Sequence, residues 1–243
     1  MRHLLPLAAA LAALATPAYA TLQIAAQFGG GNFFCVDNNV TCDSNPATGT
    51  MQLANLVIGG VAVNGSVQAS TGASSGPALT DILNTSSLSV TNNNAGAVSY
   101  DIAISDTGFT APVSTFSTAL SGVWQSAAGS SITASFYNDV TNQQGADTPT
   151  DHPGVVVDTF SQNVTQVADS FSQNNSGAFV ATAPFSMTLF SAGTLSAGAV
   201  LLNRGQTELL SVTVPEPASL ALLGLGVLGI GLARRSSMPR AEA

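Results

Sequence analysis

The chain has 243 residues, a length that allows one domain or at most two small ones. Charged residues make up 7% of it and hydrophobic ones 45%, lysine is absent, and the stretch 21–213 holds one base, Arg204, against eleven acids, a net of −10. That balance excludes a nucleic-acid-binding body, which needs a Lys/Arg-rich face to neutralise phosphates.

Met1, Arg2 and His3 give a short basic start, Leu4 to Ala15 is an apolar run of leucine and alanine, and Ala18-Tyr19-Ala20 fits small-x-small cleavage. The pattern predicts a secretory signal peptide over 1–20. The run falls short of the ~20 residues that a membrane span needs. Export puts the rest in an oxidising compartment, where Cys35 and Cys42, the only cysteines, are expected to pair as a disulfide.

The body, 21–213, reads as all-β. Leu56–Val63 and Ser66–Ser70 flank Asn64-Gly65, which predicts a hairpin with a type I′ turn. Short helical turns are expected near Ala78–Leu83 and Ser114–Leu120. Leu88 and Val90, then Asn92 to Gly96, then Val98 onward read as a hairpin with a longer loop. Val98–Ser105 has large apolar residues at every second position, so it predicts a strand with one buried face. Ile132–Phe136 and Phe185–Leu189 alternate likewise. Asn138–Gly154, rich in Asn, Gln, Asp, Gly and Pro, reads as a long exposed loop. Val200–Leu202 and Leu210–Val214 suggest a last hairpin around Asn203 to Gln206. Many short strands at close spacing predict an antiparallel β-sandwich or jelly-roll-like ectodomain. The expected core is Leu56, Ile58, Val61, Val63, Val98, Tyr100, Ile102, Ile104, Trp124, Ile132, Phe136, Phe185, Met187 and Leu189.

Candidate chemistry is sparse. Gly72-Ala73-Ser74-Ser75-Gly76 matches the G-x-S-x-G elbow, and Ser74, Asp147 or Asp151, then His152 run in hydrolase order. The elbow needs a strand before the serine and a helix after it, whereas Ser70-Thr71 and Gly76-Pro77 read as loop. A secreted serine hydrolase is therefore the weakest reading, no catalytic residue is assigned, and the body is expected not to be an enzyme. Asp147, Asp151 and Asp158, or Asp37, Asn39 and Asp43, could offer hard oxygen ligands to calcium. Neither set has the calcium-loop spacing, and Asp and Asn also initiate turns, so no metal or other cofactor is assigned. A carbohydrate-binding module is the alternative to a structural or interaction role. It would use exposed aromatics, with Trp124, Tyr137 and Phe109 as candidates, although such residues are more often core.

The C-terminus carries the most specific signal. Val214-Pro215-Glu216-Pro217 is followed by an apolar stretch from Ala218 to Ala233 and then by Arg234-Arg235. The prolines stop regular structure. Residues 218–233 predict a transmembrane helix, ~24 Å long, which can span with Arg234 snorkelling. The positive-inside rule places Arg234, Arg235 and the segment 236–243 in the cytoplasm. Gly224-Leu225-Gly226-Val227-Leu228-Gly229 matches G-x-G-x-x-G but lacks the preceding strand and the acid ~20 residues on.

Pro-Glu-Pro, apolar helix and Arg-Arg, in that order over 214–235, closely resemble the PEP-CTERM sorting signal of Gram-negative bacteria. The resemblance implies an exosortase, a membrane protease that recognises Pro215, Glu216 and Pro217 and removes the tail. It implies transient anchoring in the inner membrane, then display at the cell surface or release into an exopolysaccharide matrix. The body is more loosely similar to a recurrent type of PEP-CTERM surface protein whose function is not established. The cysteine pair, the Ile-Ser-Asp-Thr-Gly-Phe strand end and the Phe-Ser-Met-Thr-Leu strand carry that likeness.

Overall fold

The computed structural model describes residues 21–70, 80–109, 112–182 and 184–211. The expected signal peptide, Gly72–Gly76, the membrane helix and the Pro-Glu-Pro tail lie outside the described residues. Within them are twelve strands: β1 (Gln23–Phe28), β2 (Gly31–Val36), β3 (Thr50–Ile58), β4 (Val61–Ser70), β5 (Thr80–Asn92), β6 (Val98–Phe109), β7 (Val113–Gln125), β8 (Ser131–Asp139), β9 (Val155–Asn163), β10 (Ala168–Ala181), β11 (Phe185–Leu195) and β12 (Val200–Ser211).

They form two six-stranded antiparallel sheets. The first has the order β2-β1-β6-β11-β8-β9 and the second β10-β7-β12-β5-β4-β3. Four pairings are nested: β5 with β12, β6 with β11, β7 with β10, and β8 with β9. A long antiparallel ribbon whose tip is the β8–β9 loop has thus rolled up, its strands passing between the two sheets. That is the jelly-roll order. The β1–β2 and β3–β4 hairpins widen one sheet each.

Alternation explains the core between the sheets. Ile24, Ala26 and Phe28 of β1 and Tyr100, Ile102 and Ile104 of β6 point inward from the first sheet. Val61, Val63 and Val67 of β4 and Leu83, Leu88 and Val90 of β5 do so from the second. Phe28 stacks on Tyr100 and Phe109 on Phe185. Trp124 meets Phe171, which stacks on Phe160 of the opposite sheet. Each such side chain contributes ~1.5–3 kcal/mol by leaving water. Twelve of the fourteen expected core residues are buried. Leu56 and Val98 are only partly so, because they stand at strand ends.

Several local expectations are corrected. The turn of the β3–β4 hairpin is Gly59-Gly60, with φ of 56° and 79°. Two adjacent positive φ values are what a type I′ turn requires. Asn64-Gly65 instead lies inside the unbroken β4. Asn92 to Val98 is no hairpin loop, since β5 belongs to the second sheet and β6 to the first. Val200 to Ser211 is one strand, and Gly205 marks a register shift against β5. The expected helical turns fall in strands, Asp81–Leu83 in β5 and Ser114–Leu120 in β7. Sheet pairing on both sides outweighs a weak local helical pattern. The loop after β8 is not uniformly exposed: Gly145 and Ala146 are buried against the outer face of the first sheet.

Candidate functional site

The outer face of the second sheet carries a cleft of about 710 Å³. Register lays out the face that carries it in rungs that cross five strands. The middle rung runs Ser66, Ser87, Arg204, Ser121, Ser172, from β4 to β10. One side of it holds Asn64, Ser89, Leu202, Val123 and Ser170. The other side holds Gln68, Asn84, Gln206, Ala119 and Asn174. Strands ~4.8 Å apart make each rung ~19 Å long. These are the alternate positions of strands whose other residues fill the core, so the face is exposed by the same periodicity that buries the core.

The face mixes hydroxyls and amides with the exposed apolar side chains of Val123 and Leu202. The Ser66 and Ser86 hydroxyls bond each other across β4 and β5. Gln52 donates from Nε2 to the Gly65 carbonyl at 3.0 Å. The Asn64 carboxamide oxygen accepts the Asn55 amide at 2.7 Å, closing a bulge in β3. No acid lines the cleft. Arg204, on the wall between it and a smaller neighbouring pocket, is exposed, and its guanidinium has no hydrogen-bond or ion-pair partner among the described residues.

The outer face of the first sheet is different. The β8–β9 loop folds across it: Gln23 donates to the Gly145 carbonyl and to the Asp147 carboxylate, both at 2.7 Å. The Ser105 hydroxyl accepts the Gly145 amide at 3.1 Å. Asp139 starts the loop by accepting the Thr141 amide and hydroxyl and the Gln143 amide. Burial opposes its charge, but those three donors together outweigh it and hold its carboxyl below the usual range. His152 stacks on Tyr137, ring centroids 4.2 Å apart, and meets Phe190 at 4.8 Å. Beside the loop, Ala25, Gln27, Asn32, Phe34 and Asp147 line a second groove of about 450 Å³.

The sequence-derived candidates fare unequally. Cys35 and Cys42 form the expected disulfide, Cα atoms 6.0 Å apart, which ties the end of β2 to the loop after it. Trp124 and Phe109 are fully buried and offer no stacking surface, and Tyr137 is taken by His152. Among the described residues the exposed aromatic is Phe34, 50% accessible, which the sequence reading missed. The adjacent pair Phe33-Phe34 was its signal, because a strand must turn one of two neighbours outward.

The acids expected to offer calcium ligands have other work. Asp43 accepts the amides of Asn38, Asn45 and Gln52. Asp158 lies between the sheets and accepts from Thr118, Gln173 and Asn175. Asp158 is thereby held apart from the β8–β9 loop that carries Asp147 and Asp151. No group of three metal-binding side chains occurs among the described residues. Ser74 lies outside them, so its distance to His152 is not defined.

The tail settles the family signal. Residues 213–235 match the PEP-CTERM protein-sorting motif. This chain carries a PEP-CTERM sorting tail. The match covers Pro215, Glu216, Pro217, Arg234 and Arg235, and PEP-CTERM tails mark exported proteins that an exosortase targets after a transient stay in the membrane. No helix among the described residues is long and apolar enough to cross a membrane. No curated protein matches the chain.

Among solved structures, it is similar to TmCBM61 in complex with β-1,4-galactotriose, at 10% identity and a TM-score of 0.31 over 50% of this chain and 69% of that one. It is similar to a carbohydrate-binding module from Cellvibrio mixtus lichenase 5A in complex with cellotriose, at 14% identity and a TM-score of 0.24 over 58% and 85%. It is also similar to the infectious bursal disease virus Gx strain structure, at 13% identity and a TM-score of 0.32 over 82% and 57%. Likeness at these scores says nothing of ligand or activity.

Proposed function

We propose that this PEP-CTERM protein is an exported cell-surface or matrix protein whose body holds extracellular polysaccharide and performs no catalysis. The signal peptide is removed after Ala20. The helix over 218–233 then holds the chain in the inner membrane until an exosortase cuts near Pro215–Pro217.

The observation that supports the polysaccharide role is the second-sheet cleft, ~19 Å across, in which serine hydroxyls, Gln52, Asn64 and Arg204 stand beside the apolar Val123 and Leu202. Such a surface offers many weak hydrogen bonds, each worth ~1 kcal/mol net, to a polymer of hydroxyl groups. Repeating units along one polymer add their contacts through effective concentration. A module that grips single sugars between aromatic rings fits less well, because Trp124 and Phe109 are buried.

The test is affinity electrophoresis of the exported protein in gels containing the extracellular polysaccharide of the cells that export it. The wild type should be retarded. Ser121→Trp, which fills the cleft from an exposed strand position, should migrate as in a blank gel. Equal retardation of both proteins, or none of either, would overturn the reading.

A further inference from the structure

The distribution of charge narrows the ligand. Arg204 is the one Lys or Arg between residues 21 and 213. It stands beside the cleft, flanked by Ser121 and the Ser86-Ser87 bulge, and it is exposed without a partner among the described residues. None of the eleven acids bonds it among the described residues. Asp101, Asp106, Asp139 and Asp158 belong to strands of the first sheet, Asp37 and Asp43 to the loop after β2, and Asp147 and Asp151 to the β8–β9 loop. Of the three acids on the second sheet, Asp81 is buried, Asp169 accepts from Gln162, and Glu208 follows Arg204 by four residues along β12, ~13 Å.

The one arginine of a strongly acidic body thus sits exposed on the cleft wall with no partner among the described residues. We propose that Arg204 receives a carboxylate of the bound polymer, so that the cleft selects acidic polysaccharide over neutral. This rests on the polysaccharide reading above and adds the ligand's charge. A guanidinium presents two parallel N–H donors that match the two oxygens of a carboxylate, a pairing that lysine cannot reproduce. Ser87, Ser121 and Ser172 lie along the same rung to donate to and accept from the hydroxyls of the neighbouring units. No exposed aromatic lines the cleft, so charge and hydrogen bonding carry selection there.

The experiment is calorimetric titration of the full chain in mild detergent with polygalacturonate and with neutral dextran. The proteins are wild type, Arg204→Gln, Arg204→Lys and Phe34→Ala. Polygalacturonate should bind wild type at least ~10-fold more tightly than dextran does. That preference should vanish in Arg204→Gln, shrink in Arg204→Lys and persist in Phe34→Ala. It should also weaken as salt is raised. Equal binding of both polymers to wild type, with Arg204→Gln unchanged, overturns the carboxylate inference and leaves the polysaccharide reading standing. Loss of polygalacturonate binding in Phe34→Ala alone overturns it too, by moving the site to the first sheet. Binding of neither polymer, together with no retardation by the cells' own polysaccharide, overturns both.

Discussion

Asp106 is the residue whose charge is least at home. It is 3% exposed on β6 and accepts the Thr107 amide at 2.8 Å. Burial, and then repulsion from Asp37, push its carboxyl up to about 7. Asp37 is itself raised, by burial first and by Asp43 as well, even though it accepts the Gly49 amide at 2.7 Å. The folded protein therefore holds a proton on Asp106 at pH values where the unfolded chain has released it. Stability falls as pH rises from about 4 to about 7, and the cost is complete above that. From the size of the shift it is on the order of 4 kcal/mol at most. Asp106→Asn keeps an acceptor for Thr107 and carries no charge. Its stability over wild type in urea melts should be small near pH 4, widen up to pH 7 and stay constant at pH 8. A gap that does not change with pH would show that the carboxyl ionises normally in the fold.

At the scale of elements, Asn64-Gly65 shows how a correct local signal can name the wrong event. The glycine is required, but by a neighbouring strand rather than by a turn. A Cβ on Gly65 would lie 2.2 Å from the Ser87 carbonyl oxygen and 3.0 Å from the Leu88 Cα. Gly65→Ala should therefore cost ~1–3 kcal/mol by forcing β4 away from β5. Gly30→Ala, with nothing within 4 Å of the new methyl, should change stability by less than ~0.5 kcal/mol. Equal denaturation midpoints for the two variants would refute the close approach.

The strands that were legible alternate large apolar residues with small or polar ones: the Val98–Ser105 alternation became β6, and Ile132–Phe136 and Phe185–Leu189 became β8 and β11, even where the β8–β9 loop buries the outer face of β6 and β11 as well. β1 was not, because Ala25 is buried under the β8–β9 loop while Ile24 and Ala26 are buried in the core, which erases its period of two. β10, an edge strand rich in Ser, Gln and Asn, carries too little apolar signal to be seen. Connections between sheets were illegible for a different reason. Asn92 to Gly96 has turn chemistry whether the chain reverses within a sheet or crosses to the other one. The candidate site stayed hidden because it arises from register: nothing in the sequence places Ser66, Arg204 and Ser172 on one line.

For the whole molecule, the rolled ribbon determines what sorting can remove. β12 lies between β7 and β5 in the interior of the second sheet, and its pairing runs to Ser211. The PEP-CTERM motif begins at residue 213, and the described part of β12 ends at Ser211. Cutting near Pro215–Pro217 therefore removes none of the sheet pairings made by the described residues, whereas a cut within β12 would remove pairings to both neighbours. The body should keep its full stability when the tail goes. Intact mass of the exported protein, compared between cells with and without their exosortase, tests both halves of this. With the protease, residues 1–20 and those beyond about Pro217 should be missing, and the trimmed protein should melt at the same temperature as the untrimmed one. A tail retained in both strains would make the chain a single-pass membrane protein despite its motif. A lower melting temperature after trimming would mean that residues beyond Ser211 contribute to the fold.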